Sequence, residues 1–193
     1  MAINLSKGQT INLDKNTNDL SQVTIGLGWK IRQKKKEPEF DLDALAFVLD
    51  DQEKVRNGAD VIFFNNLRHP SGAIWHTGDD LTGGSGGDDE RIIVKLDEIP
   101  AMYSKILFLV TIYQGQQKKQ HFGQVENAFI RAVDNKGVEI ARYNLSADAG
   151  YENKCSMVFG EVYRKDGGWK FRALGNAYDS DSFVDILRNY VYD

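Results

Sequence analysis

The sequence predicts a mainly β protein, an antiparallel β-sandwich carrying a short C-terminal helix. Three observations carry that expectation. Apolar residues recur with the two-residue period of strands along most of the chain. Two stretches read as hairpins whose turns hold glycine where positive φ is needed. Helical spacing surfaces only near the C-terminal end. No linker and no internal repeat breaks the pattern, so residues 1–193 are read as one domain.

Taken in order, Val23, Ile25 and Leu27 alternate ahead of Gly28-Trp29. Leu42 to Leu49 reads as a buried strand, and so does Val61 to Phe64, which ends at Asn65-Asn66. Ile74-Trp75-His76 and the run Arg91 to Leu96 are strands on either side of an acidic segment. Lys105 to Tyr113 is the most apolar strand and is expected at the centre of a sheet. Ala128 to Val133 turns at Asp134-Asn135-Lys136-Gly137 into Val138 to Tyr143. Met157 to Tyr163 turns at Asp166-Gly167-Gly168 into Trp169 to Leu174. Asp181 to Tyr192 is expected to be helical, capped by Asp179 or Ser180, with Phe183, Ile186, Leu187 and Tyr190 as its apolar stripe.

Composition narrows the function classes. With 41% apolar and 11% aromatic residues the chain can bury a full core. A net charge of -4, from 24 basic and 28 acidic residues, argues against nucleic acid or an anionic membrane as the main partner. The run Lys34-Lys35-Lys36 is followed by Glu37 and Glu39 and reads as a solvated loop. The longest apolar run, Ile106 to Val110, is far too short to span a bilayer, and the first residues lack an apolar signal core. A cytoplasmic protein is expected, in which the sequons at Asn4 and Asn144 carry no meaning. The one cysteine, Cys155, supports neither a disulfide nor a Cys-Cys metal knuckle, and reads as a small packed hydrophobe.

The chemistry concentrates in Thr77 to Glu90, which holds Asp79, Asp80, Asp88, Asp89 and Glu90 and no basic residue. Five carboxylates in one glycine-rich loop repel one another, and a cation relieves the repulsion. Hard oxygen donors on a pliable backbone suit Ca²⁺, which accepts many oxygens in loose geometry. The segment Asp79 to Glu90 has the length of an EF-hand loop. Its third and fifth positions, however, are Leu81 and Gly83, and its flanks read as strands, so it is not one. Two other oxygen-rich spots could join it at one end of a sandwich. Asp41 and Asp43 open a strand on one side of its pleat, and Asn65-Asn66 closes another. Glu152-Asn153 is a weaker acidic pair, and Asp50-Asp51 reads as a turn.

Several motifs fail on context. Gly83-Gly84-Ser85-Gly86-Gly87 fits G-x-S-x-G, but a strand follows where a nucleophile elbow needs a helix, and the surrounding carboxylates oppose an oxyanion. His69, His76 and His121 are scattered without zinc spacing, and His76 reads as a rim residue. There is no phosphate-binding glycine loop.

A further set of motifs runs through Leu5-Ser6-Lys7-Gly8, Gly26-Leu27-Gly28-Trp29, Phe40 to Ala44, Phe64 to Leu67, Thr77-Gly78-Asp79-Asp80 and Gly87-Asp88-Asp89-Glu90. It continues through Phe122 to Val125, Ala128 to Arg131, Ala141-Arg142-Tyr143, Phe159-Gly160-Glu161 and Trp169 to Ala173. Together these residues resemble the TerD family of tellurium resistance proteins. The resemblance implies a calcium-binding β-sandwich in a bacterial stress response linked to tellurite, phage and colicin resistance. It implies that Asp41, Asp43, Asn65, Asn66, Asp79, Asp80, Asp88, Asp89 and Glu90 lie in the motifs that build the calcium sites. Many members read Gly-Asp-Asn-x-Thr-Gly where this chain has Asp80. The extra charge either tightens Ca²⁺ or leaves Asp80 outside the ligand set. The stretch after Tyr178 looks more individual, and no family residue is carried over there.

The expected function is therefore a non-enzymatic calcium module, with Ca²⁺ as the only cofactor. The ion locks three loops together and so creates or hides a surface for a protein partner. Two alternatives use the same carboxylates: a metal-dependent hydrolase, and a sensor in which the ion bridges a nucleotide or other phosphate ligand.

Overall fold

The computed structural model describes residues 2–31, 40–78, 87–145 and 150–193. The Lys34–Lys36 run, Asp79, Asp80 and the Gly83–Gly87 motif up to Gly86 lie outside the described residues.

In chain order the strands are β1 (Ile3–Leu5), β2 (Thr10–Leu13), β3 (Val23–Ile31), β4 (Leu42–Asp50), β5 (Val61–Ile62), β6 (Ile74–His76), β7 (Glu90–Val94), β8 (Tyr103–Ile112), β9 (Val125–Val133), β10 (Glu139–Asn144), β11 (Ser156–Lys165) and β12 (Gly168–Tyr178). They form two six-stranded sheets, ordered β1-β10-β9-β3-β7-β6 and β2-β12-β11-β8-β4-β5. Every pair is antiparallel except β1 with β10. The expected β-sandwich is thus present, with the expected strand β8 inside its sheet between β11 and β4.

Period-two alternation builds the layer between the sheets. Val23, Ile25 and Leu27 of β3 and Ile92 and Val94 of β7 meet Ala44, Ala46 and Val48 of β4 and Ile106, Phe108 and Val110 of β8. The opposite face of β4 and β8 is also apolar, which is why these strands read as continuous hydrophobic runs. Leu45, Phe47, Leu49, Leu107 and Leu109 form a second buried cluster on the outside of the sheet.

The C-terminal segment covers that cluster. It forms the helix α2 (Phe183–Leu187; α1 is the single turn Gly115–Lys118) and a 3-10 turn over Arg188–Tyr190, shorter than the helix expected over Asp181–Tyr192. The stripe holds, because Ile186 is buried and Phe183, Leu187 and Tyr190 pack on the cluster. The C-terminal end of the helix is drawn out of helical pairing by the connection between β4 and β5. Val55 N–H donates to Tyr190 O at 2.7 Å, and Lys54 Nζ to Asn189 O at 3.2 Å. The N-cap position belongs to Ser182, not to Asp179 or Ser180, and the Ser180 hydroxyl is spent on Asp185 Oδ2 at 2.6 Å.

Both glycine turns appear as expected. Between β11 and β12, Asp166 and Gly167 take φ of 55° and 75°, the paired positive values of a tight hairpin turn. Sequence reading missed β1 and β2, the edge strands of the two sheets. No helix among the described residues is long and apolar enough to cross a membrane.

Candidate functional site: a carboxylate corner between the two sheets

The acidic segment leaves β6 at His76 and re-enters the sheet at Glu90, the first residue of β7. Along β7, Glu90, Ile92 and Val94 face the space between the sheets, so a carboxylate occupies the last inward position of the strand. Glu90 is 5% exposed. There it meets the other sheet. β5 pairs with β4 only at Ala46 and Phe47, which leaves the Ala44 N–H turned outward, and Glu90 Oε2 accepts it. His76 Nε2 lies 3.3 Å from the same oxygen, while Gly78 N–H donates to His76 Nδ1 at 2.9 Å. The ring's donor is therefore Nε2, aimed at Glu90. His76 was expected at the rim. It is buried instead, because it alternates inward with Ile74 on β6.

Asp89 follows a different path. Its N–H donates to Leu27 O at 2.8 Å, and its Oδ2 accepts from Trp29 N–H at 2.7 Å, which extends the β3–β7 ladder through a side chain. Burial pushes the Asp89 carboxyl above its ordinary pKa, and the neighbouring Asp88 charge pushes the same way, against the Trp29 hydrogen bond. A carboxylate in that position favours a cation or a proton.

Asp88 turns to the outer face of the first sheet. Arg131 Nε reaches its Oδ1 at 2.7 Å and Arg131 Nη2 its Oδ2 at 3.1 Å, with Arg91 Nε 3.6 Å away. The Asp88 hydrogen bond raises the Arg131 pKa.

The structure brings the start of β4 to this corner. Asp41 is exposed, and its carbonyl accepts from Tyr113 N–H at 2.7 Å. Asp43 is half-buried and pairs in register with Thr111, on the face opposite Ala44. Since β4 and β5 run antiparallel through Ala46 and Ile62, the turn after β5 returns toward Asp43. In that turn Asn66 is a pinned residue. It exchanges backbone bonds with Phe63, and its Nδ2 donates to Val61 O at 2.7 Å and Ala59 O at 3.3 Å. Asn65 is exposed at the tip beside Phe64, which is 56% exposed. Glu152 and Asn153 border a separate polar hollow with His121, Lys154 and Cys155. Asp50 accepts the Gln52 and Lys54 N–H groups, the turn expected there.

The side chains these segments offer are oxygen donors and one imidazole, a donor type that fits a hard cation better than a soft one, but Asp88, Asp89, Glu90 and Asp43 turn in different directions. Among the described residues, no group of three or more His, Cys, Asp or Glu side chains is placed to hold a metal ion. Cys155 is buried, its thiol pushed up by burial and by Asp181 and Asp179, and it donates weakly to Gln120 O. A thiol in that state is a poor nucleophile.

Residues 1–190 match the family model described as the TerD domain. The chain is 50% identical to the tellurium resistance protein TerX of Serratia marcescens, over 99% of this chain and all of the relative. It is 48% identical to the tellurium resistance protein TerD of Alcaligenes sp., over 92% of each, and 42% identical to general stress protein 16U of Bacillus subtilis, again over 92% of each. Among solved structures, a protein of unknown function superposes with TM-score 0.70 at 24% identity, covering 90% of this chain and 98% of that one. A homologue of the telluride resistance protein TerD from Streptomyces coelicolor A3(2) gives 0.66 at 21%, covering 85% and 94%. At those identities the two structures speak for the fold alone.

Proposed function

The chain belongs to the TerD domain family of tellurium resistance and general stress proteins, and from that membership and the geometry above we propose that it is a calcium-binding stress-response module. Ca²⁺ neutralises the acidic loop and ties it to the start of β4 and the Asn65-Asn66 turn. The oxygen donors are Asp41, Asp43, Asp89 and Glu90, joined by Asp79 and Asp80 of the loop and carbonyls of the turn. The observation that carries this reading is Glu90, a carboxylate inside the sandwich that spans from one sheet to Ala44 of the other. It fixes the exit of the acidic loop against Ala44 of β4, the strand that Asp41 and Asp43 open, with Asp43 on its other face. The protein has no catalytic role in this reading. The ion organises a surface for a protein partner, with Asn65 and the exposed Phe64 at its border.

Calorimetric titration of metal-free protein tests it. Ca²⁺ uptake is expected to survive millimolar Mg²⁺, because the smaller ion demands tight octahedral geometry and sheds water reluctantly. Absence of Ca²⁺ heat, or full competition by equimolar Mg²⁺, ends the proposal. A lysate pull-down with Ca²⁺ against chelator then tests the partner.

A further inference from the structure

The outer face of the first sheet carries a row of charges that the calcium reading leaves unused. Strand register aligns Arg91 of β7 with Gly26 of β3, Gly26 with Arg131 of β9, and Arg131 with Arg142 of β10. The row is thus three arginines with a gap at Gly26. A Cβ at Gly26 would lie 2.3 Å from the Asp88 carboxylate, so the Asp88 side chain lies flat over the glycine, between Arg91 and Arg131. Glu139 fills the next interval. It accepts from Arg131 Nη1 at 2.9 Å and from Arg142 Nε and Nη2 at 2.9 and 3.0 Å. Arg142 is stacked over Phe129, 4.1 Å from the ring centre. The signs alternate across four strands: Arg91, Asp88, Arg131, Glu139, Arg142.

We propose that Asp88 is a positioning residue of the acidic loop rather than a metal ligand: Arg131 holds its carboxylate on the sheet face, and that clamp sets where Asp89 and Glu90 stand. The geometry is that of a forked guanidinium bond, which fixes orientation as well as position. Asp88 is 8% exposed, and both of its oxygens are engaged by arginine. The next two residues point elsewhere, Asp89 to the Trp29 N–H and Glu90 into the sandwich. Asp88 is the carboxylate at this end of the acidic segment whose charge is met by a guanidinium, whereas Asp89 and Glu90 accept from backbone N–H groups and an imidazole.

The proposal rests on the calcium reading above, and the test separates the two. Ca²⁺ titrations are run on wild type, Asp88→Asn, Arg131→Gln and the double variant. Both single variants are expected to weaken Ca²⁺ binding by about ten- to a hundredfold, as lost supporting contacts around a metal do, with the number of ions unchanged. The double variant is expected to fall little further. Arg131→Lys, which keeps the charge but loses the fork, should recover part of the affinity and replaces Arg131→Gln if that variant does not fold. If Asp88 were a ligand, Asp88→Asn would remove an ion from the stoichiometry, and Arg131→Gln, by releasing the carboxylate, would tighten binding. Either result overturns the proposal. If wild type takes up no Ca²⁺, the calcium reading fails, and the clamp is read from urea unfolding of the same four proteins without metal. There the two changes should together cost less than their sum, and strict additivity overturns the clamp as well.

Discussion

Asp60 shows what a single buried carboxylate does in this fold. It is 1% exposed and receives four donors. Tyr103 OH and His69 Nε2 reach Oδ1 at 2.7 and 3.1 Å, and the Arg56 and Asn57 N–H groups reach Oδ2 at 2.7 and 3.1 Å. Ser71 Oγ lies 2.7 Å from His69 Nδ1, so serine, histidine and aspartate form a chain that resembles a hydrolase triad. It is a brace instead, because the same Ser71 hydroxyl accepts the Ala73 N–H and the ring is 2% exposed. Burial, reinforced by Asp60, pushes the Tyr103 hydroxyl up to about 12, so it stays a donor at any physiological pH. Asp60→Ala strands two buried side chains and two backbone donors at once, and should cost about 3 kcal/mol or more in urea unfolding; a loss below about 1 kcal/mol would show the network to be dispensable. At this scale the sequence was least legible. Asp88 and Arg131 are 43 residues apart, and no local pattern pairs them. The one available signal was Gly26, since a glycine inside an otherwise apolar strand marks a close approach. Glu90 was found as a candidate, but its inward direction depends on the strand beginning at that residue.

At the scale of elements, most of the sandwich was readable because its strands bury one face or two. β3, β4, β8 and the two glycine-turn hairpins announced themselves by alternation or continuous apolar runs. β1 and β2 did not. They are three and four residues long, lie at sheet edges, and bury little besides Leu5 and Leu13. The C-terminal helix was visible in its stripe but not in its length, because bonds to the β4–β5 connection outcompete its last turns. One of those ties is titratable. Asp50 is pushed up by burial, yet the Tyr192 hydroxyl and the Lys54 and Gln52 N–H groups hold its carboxyl below the ordinary value of 3.8. A carboxylate with a lowered folded pKa adds stability that is present at neutral pH and is lost as pH falls through the folded value. Acidification below about pH 4 should therefore release the C-terminal segment to protease before the sheets unfold. Asp50→Asn should make cleavage there independent of pH in that range, and unchanged pH dependence in the variant would remove Asp50 as the cause.

For the whole molecule, cation binding and folding should be one equilibrium. A ligand that binds only the folded chain at a hundredfold excess over its Kd adds about 2.7 kcal/mol, or roughly 5–10 °C in Tm for a domain of this size. Chelation should reverse that gain, and superimposable melting curves with Ca²⁺ and with chelator would show that the corner holds no ion in solution. The edges of the molecule carry a further implication. β1 pairs with β10 in one sheet and β2 with β12 in the other, so the first thirteen residues close both sheets against strands that end at Asn144 and Tyr178. On a translating ribosome these residues emerge before the rest of the domain, and β1 has nothing to pair with until β10 is made, β2 until β12 is made. Pairings that distant in sequence are slow to form, and unpaired edges invite association between chains. The shortness that hid β1 and β2 from sequence reading is then a safeguard for a nascent chain: edges of three and four residues offer little template for association while they wait for their partners.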